Sequence, residues 1–179
     1  MENFSEFVKR VVRALNRSRL RYMFTGAMAS SYYDRPRTTL DIEIALTVEE
    51  KDLVRLAKAL TGADLRVQTK RLRRTWASDY RIATFEDKKS PHTLDIIFTD
   101  QPLERRAGRM LGLPTYYQTP ESLILSKLRM LKVTIQSERA ATDREDIKAI
   151  LKATKINLNS LRKRAASEHT SRILDDLTC

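Results

Sequence analysis

Cysteine is nearly absent. The single residue, Cys179, cannot form an internal disulfide, and no cluster of Cys and His suggests zinc. Glycine and proline are sparse, at 4 and 5 residues, so long flexible linkers are not expected. No apolar run reaches the ~18 residues that a membrane-spanning helix needs, and no signal-peptide pattern opens the chain. These absences lead us to expect a protein of the reducing cytoplasm with no membrane partner. Aromatic residues are also few, at 7%, and none is interleaved with the basic clusters to stack bases.

What is present is basic. Lys and Arg number 34 against 23 Asp and Glu, a net charge of +11. Such an excess favours a polyanionic partner such as RNA, through phosphate neutralisation and counterion release. Three clusters carry it: Lys70-Arg71 with Arg73-Arg74, Arg105-Arg106 with Arg109, and Arg162-Lys163-Arg164. The plainer reading is that these are solvated helix faces, and dense charge also accompanies thermophilic origin. The 179 residues suffice for one domain with a small helical appendage, and a hydrophobic content of 41% can bury a core. The charged fraction of 32% is mixed in sign, which argues against global disorder.

Periodicity divides the chain in two, near residue 118. Residues 3–17 read as an amphipathic helix with Phe4, Phe7, Val8, Val11 and Leu15 on one face, and Asn3 with Glu6 at capping-box spacing. An apolar strand at 21–25 runs into a small-residue turn and a helix to Tyr33. A basic turn, Arg35 to Thr39, leads to a strand at 40–46. Thr47-Val48-Glu49-Glu50 reads as a capping box opening a helix to about Thr61. Leu65 and Val67 fit a short strand, and 71–77 fits either a helix or a basic loop. Strands are expected at 79–85, 93–98 and 113–117, with 101–109 a basic segment. From 119 onward the period is helical. Thr119 with Pro120 starts one helix, a capping box at Thr142–Glu145 starts a second, and Asn157 caps a third. The expected fold is α+β: a small mixed β-sheet flanked by helices over 1–118, followed by a C-terminal helical segment over 119–179.

Three carboxylates stand out. Asp41 and Glu43 are two apart on a strand and so share a face. Two carboxylates held there repel unless solvated or neutralised, so the choice lies between a solvent-facing surface and a hard cation such as magnesium. Asp95 interrupts the apolar strand Leu94 to Phe98. If that strand lies beside 40–46, Asp95 completes a cluster able to hold two metals that clamp an in-line displacement. Gly26 lies 15 residues before Asp41, just after an apolar strand, where a turn lets backbone amides approach a phosphate. His92, three residues before Asp95, reads as a polar turn residue, with a general base as the other reading.

These residues, in this order, resemble the nucleotidyltransferase superfamily, the DNA polymerase beta-like fold. Its signature is an apolar strand, Gly-Gly or Gly-Ser, about a dozen residues, Asp-x-Asp/Glu, and a third carboxylate on a later strand. Gly26-Ala27, Asp41-Ile42-Glu43 and Asp95 match it. Gly26-Ala27-Met28-Ala29 and Arg37-Thr38-Thr39-Leu40-Asp41-Ile42-Glu43 are similar to a small prokaryotic branch related to AbiEii-type toxins. Thr119 to Ile124 with Lys127, and Asp143 to Ile147, resemble that branch's tail. The resemblance covers roughly residues 20 to 165.

The resemblance implies that Asp41, Glu43 and Asp95 hold magnesium, two ions, and that an NTP is the substrate. It implies that Gly26 and the Ala27 amide cradle the triphosphate, that Ser30 and Ser31 add hydroxyl contacts, and that Lys127 with Asp143 or Asp146 joins the site. Lys127 also fits a snorkelling surface lysine, and Asp143 and Asp146 fit dipole-stabilising residues of a first helical turn. Ala27 departs from the family, which has Gly or Ser there. The leading expectation is a metal-dependent nucleotidyltransferase that moves NMP from an NTP to an acceptor hydroxyl, with RNA as acceptor. The other is a weak or inactive module of the same fold that binds nucleotide or nucleic acid, or one member of a toxin–antitoxin pair with a cognate antitoxin-like partner.

Overall fold

The computed structural model describes residues 3–34, 39–134 and 138–178. Most of the basic turn, 35–38, and Cys179 lie outside the described residues, as do Arg37 and Thr38 of the compared motif. The chain forms two compact units, Met1–Met28 with Thr38–Tyr117, and Ala29–Arg37 with Gln118–Cys179. The fold is α+β, a six-stranded mixed sheet with flanking helices and then C-terminal helices.

The first unit contains α1 (Phe4–Ser18), β1 (Arg21–Phe24), β2 (Asp41–Thr47), α3 (Leu53–Gly62), α4 (Thr69–Ala77), β3 (Ile82–Glu86), β4 (Thr93–Phe98), β5 (Arg105–Met110) and β6 (Leu113–Gln118). Helix α2 (Gly26–Tyr33) follows β1. The strand order is β3-β4-β2-β1-β6-β5. β2 lies antiparallel to β1 and parallel to β4, β3 is antiparallel to β4, and β1 is parallel to β6. Alternation sorts the side chains. Ile42, Ile44 and Leu46 of β2 and Leu94, Ile96 and Phe98 of β4 are buried on one face. The core they belong to includes Phe7, Val11 and Leu15 of α1 and Leu53, Leu56 and Leu60 of α3. The other face of the same strands carries Asp41, Glu43, Thr93 and Asp95.

Several local expectations are corrected. The helix after β2 begins with a short 3-10 turn, Glu50–Asp52, and its capping box is Glu49 with Asp52 rather than Thr47 with Glu50. The segment 79–81 precedes β3 rather than belonging to it, and Leu65 makes only an isolated bridge to Asp87. Residues 71–77 are helical, within α4. The basic segment 101–109 contains an unforeseen strand, β5. Its Arg105 lies over the Tyr116 ring, 3.8 Å from the centroid, and donates to the Tyr22 carbonyl at 3.1 Å. The turn joining β5 to β6, Leu111–Gly112, is left-handed at both residues, the backbone twist that suits a two-residue hairpin.

Helix α1 closes over the β3–β4 turn. Asn3 caps it, accepting from the Glu6 amide at 2.9 Å. Arg10 donates to Asp87 at 2.9 Å, and Ser90 donates to the other Asp87 oxygen at 2.6 Å. His92 is neither an exposed turn residue nor a candidate base. It is buried against α1, its ring centroid 5.4 Å from Phe7 in a stack and 5.1 Å from Phe4 edge-on, and its Nδ1 has no hydrogen-bond partner. Burial raises the Asp87 pKa, but the Ser90 hydroxyl and the Arg10 guanidinium outweigh it and hold the carboxyl below its usual range. The Asp87 side chain is 0% exposed.

The second unit packs α5 (Pro120–Val133), α6 (Glu138–Ala153), α7 (Leu158–Ser167) and α8 (Ser171–Thr178). α5 is buried along Leu123, Ile124, Leu125, Leu128 and Leu131. α6 starts at Glu138, so Thr142 does not cap it. The Thr142 hydroxyl instead donates to the Glu138 carbonyl at 3.1 Å, inside the helix. Asn157 caps α7 as expected, accepting from the Ser160 amide at 3.0 Å.

Asp87→Asn tests the closure by α1. Breaking a buried pair should cost about 3 kcal/mol at neutral pH. Because the folded carboxyl titrates below its unfolded value, the stabilisation is present above the unfolded pKa of about 4. It is lost as pH falls through the lowered folded value. Urea melts of both proteins from neutral to acid pH should therefore converge on the acid side, and a gap independent of pH would contradict the assignment.

Candidate functional site

The parallel register of β2 and β4 assembles one carboxylate face. Glu43 stands directly opposite Asp95, and Asp41 opposite Thr93. On the outer side of β4, Thr84 of β3 stands opposite Asp95. Two threonine hydroxyls orient the aspartates: Thr93 donates to Asp41 at 2.7 Å, and Thr84 donates to Asp95 at 2.6 Å. Asp41 is exposed, and Glu43 and Asp95 are half-buried. Among the described residues no three acidic, His or Cys groups form a ready metal-holding set.

Gly26 completes this face. It begins α2 with φ of 54°, in the left-handed region. A Cβ built there would coincide with the Glu43 carboxylate. The preceding amide, Thr25, donates to the Glu43 carbonyl at 3.0 Å. Glycine is therefore required twice, for its backbone angle and for the acid lying against it. Ala27 follows, buried at the start of the helix.

The second unit holds an ionic centre. Lys127 of α5 is buried, and its Nζ lies 2.7 Å from Asp143 Oδ1 and 2.8 Å from Asp146 Oδ2. Asp143 and Asp146 are three apart on α6 and so share a face. Lys127 is thus not a snorkelling surface residue, and both aspartates engage it. The Ser30 hydroxyl donates to Asp146 Oδ2 at 3.1 Å. Ser30, expected to contact phosphate, is instead fully buried on a carboxylate, whereas Ser31 is half-buried.

No protein-family model and no curated sequence matches the chain. Solved structures do match. The antibiotic-resistance factor ANT(2'')-Ia is similar over 97% of this chain and 96% of its own, at TM-score 0.65 and 13% identity. An antigenic nucleotidyltransferase-like protein from Paracoccidioides brasiliensis matches over 96% and 94%, at TM-score 0.60 and 14% identity. The lincosamide antibiotic adenylyltransferase LnuA matches over 86% and 100%, at TM-score 0.56 and 13% identity. The fold is that of the nucleotidyltransferases.

Within that nucleotidyltransferase fold, sequence reasoning missed Thr84 and Thr93. Thr93 was findable, because in Thr93-Leu94-Asp95 the first and third residues must share a face. Thr84 carried no such signal, since only the β3–β4 register places it opposite Asp95. The Ser30 contact was equally hidden, because it joins residues 116 apart in sequence.

Two measurements test these centres. Gly26→Ala should destabilise the protein by at least ~1–2 kcal/mol from the left-handed backbone alone. Adding Glu43→Ala should recover part of any further loss, because it removes the group the new Cβ meets. Additive urea-melt energies in this double-mutant cycle would rule out the close approach. Lys127→Met should cost ~3–5 kcal/mol by leaving buried carboxylates without their cation. Combining it with Asp143→Asn and Asp146→Asn should restore stability, and no recovery in the melts would mean that Lys127 acts by packing alone.

Proposed function

We propose that the protein is a metal-dependent nucleotidyltransferase that moves NMP from an NTP to an acceptor hydroxyl and releases pyrophosphate. The observation that carries the reading is the shared face of Asp41, Glu43 and Asp95, with Glu43 and Asp95 in register and the Glu43 carboxylate against Gly26. The donor set suits a hard dication. Carboxylate oxygens are its preferred ligands, and like charges crowded on one face gain from neutralisation. When bound, Mg²⁺ would neutralise triphosphate charge and acidify the acceptor hydroxyl.

The chain's own residues would do the rest. The absence of a side chain at Gly26 lets the Glu43 carboxylate lie against the backbone at the start of α2, beside the other acids of its face. Thr84 and Thr93 hold Asp95 and Asp41 in fixed rotamers, so the acids need not reorganise as charge develops. Asp95 accepts the acceptor's proton as its oxygen bonds to the α-phosphorus. The α–β bridging bond breaks, and its electron pair leaves with pyrophosphate. Lys127, Asp143 and Asp146 tie α5 to α6, and Ser30 ties its own helix to that centre.

The acceptor reading follows charge. One neighbouring structure, of ANT(2'')-Ia, contains adenylyl-2''-tobramycin. Tobramycin is a polyamine, and a chain of net charge +11 is poorly matched to a polycation. We therefore place the acceptor among polyanions, and RNA first. Ala27 favours a second reading, a binding module of this fold without turnover. A small antitoxin-like protein as partner belongs to that second reading.

Incubation with Mg²⁺, each labelled NTP, and RNA or protein acceptors separates the two. Transfer should fall at least ~10³-fold in Asp41→Asn and in Asp95→Asn, and vanish with a chelator. Transfer that survives Asp41→Ala and Asp95→Ala together would sink the proposal. An absence of turnover, with ATP·Mg²⁺ at ~100 times its Kd still stabilising the fold by about 2.7 kcal/mol, would establish the binding module.

A further inference from the structure

Helix α4 carries Lys70, Arg71, Arg73 and Arg74 with no acidic residue among its nine positions. At helical spacing these cations face one another at i,i+3 and i,i+4, which is unfavourable without a compensating anion. Compensation within the protein is weak. Arg73 reaches Glu50 only at 4.0 Å, in an exposed pair, and Lys70, Arg71 and Arg74 have no ion-pair partner among the described residues. Arg66, just before the helix, pairs with Glu86 at 3.6 Å, also in the open.

Beside α4 runs a groove of about 180 Å³ along the edge strand β3, lined by Arg66, Arg71, Leu72, Thr84 and Phe85. This is smaller than the ~300–1,000 Å³ typical of a pocket that encloses a whole small molecule. It suits one segment of a longer ligand. Thr84 belongs both to this groove and to the carboxylate face, where its hydroxyl holds Asp95. Tyr80, between α4 and β3, is 73% exposed and offers a ring for stacking.

We infer that the α4–β3 groove binds the phosphodiester backbone of a single-stranded RNA whose end is directed to Asp95. Arg66 and Arg71 contact phosphates, Tyr80 stacks a base, and the path past Thr84 delivers the terminal hydroxyl. That this strand is the acceptor rests on the transfer reading, whereas the binding surface itself does not.

The test measures affinity of the full chain for a short, labelled, mixed-sequence RNA strand across a salt series, without nucleotide. Arg66→Glu with Arg71→Glu should weaken binding at least ~10-fold and lower the slope of log K against log salt by about 1.4, for two phosphate contacts at ~0.7 each. Arg162→Glu with Lys163→Glu, an equal charge change in the second unit, should change affinity by less than about twofold. Tyr80→Ala should weaken binding with no change in salt slope. All substituted positions are exposed, and Arg66→Gln with Arg71→Gln repeats the comparison if the reversals unfold. Equal losses in the two charge-reversed proteins, or none in the first, would overturn the inference. RNA bound through α4 by a protein that transfers no nucleotide would keep the groove and remove the transfer reading. Transfer to a protein acceptor with no RNA affinity would do the reverse.

Discussion

The parallel pairing of β2 with β4 is the constraint on which the first unit depends. A one-residue slip would send Asp41, Glu43 and Asp95 into the core and Ile42, Ile44, Leu94 and Ile96 out to solvent. The apolar alternation that buries one face is therefore the same device that aligns the acids on the other. Core packing, not any attraction among the carboxylates, holds like charges opposite one another. The threonines on the same face act as insulation, each occupying one carboxylate oxygen.

The elements legible in the sequence were those whose pattern is local. Strands β2 and β4 alternate cleanly, and Asn3 and Asn157 announce the helices they cap. β5 was not legible, because Arg105-Arg106-Ala107-Gly108-Arg109-Met110 has no β-branched residue. Its place in the sheet comes from the hairpin with β6 and from Arg105 lying on Tyr116. The Thr142 box misled for the opposite reason. The motif is correct in composition, but the helix had already begun at Glu138, and a threonine inside a helix turns its hydroxyl back to the preceding turn.

The candidate site was legible in its acids and its glycine and obscure in what surrounds them. Gly26 could be located, but the reason for it, a carboxylate in the space a methyl would fill, is a tertiary fact. His92 shows the limit of reading polar residues as exposed. Between two phenylalanines an imidazole serves as a third aromatic ring. The tail motif pointed to Lys127 and to an aspartate, and packing uses both aspartates at once.

The closure of α1 over the β3–β4 turn bears on how the chain is made. Arg10 meets Asp87 across 77 positions of sequence. A ribosome releases α1 long before its partners exist. Until the β3–β4 hairpin emerges, Phe7 and the apolar stripe behind it have only nascent chain or a chaperone to cover them. The strand pair that carries Asp95 is thus clasped by a helix synthesised well before it, and formation of that clasp is a late, non-local event that slows folding of the first unit.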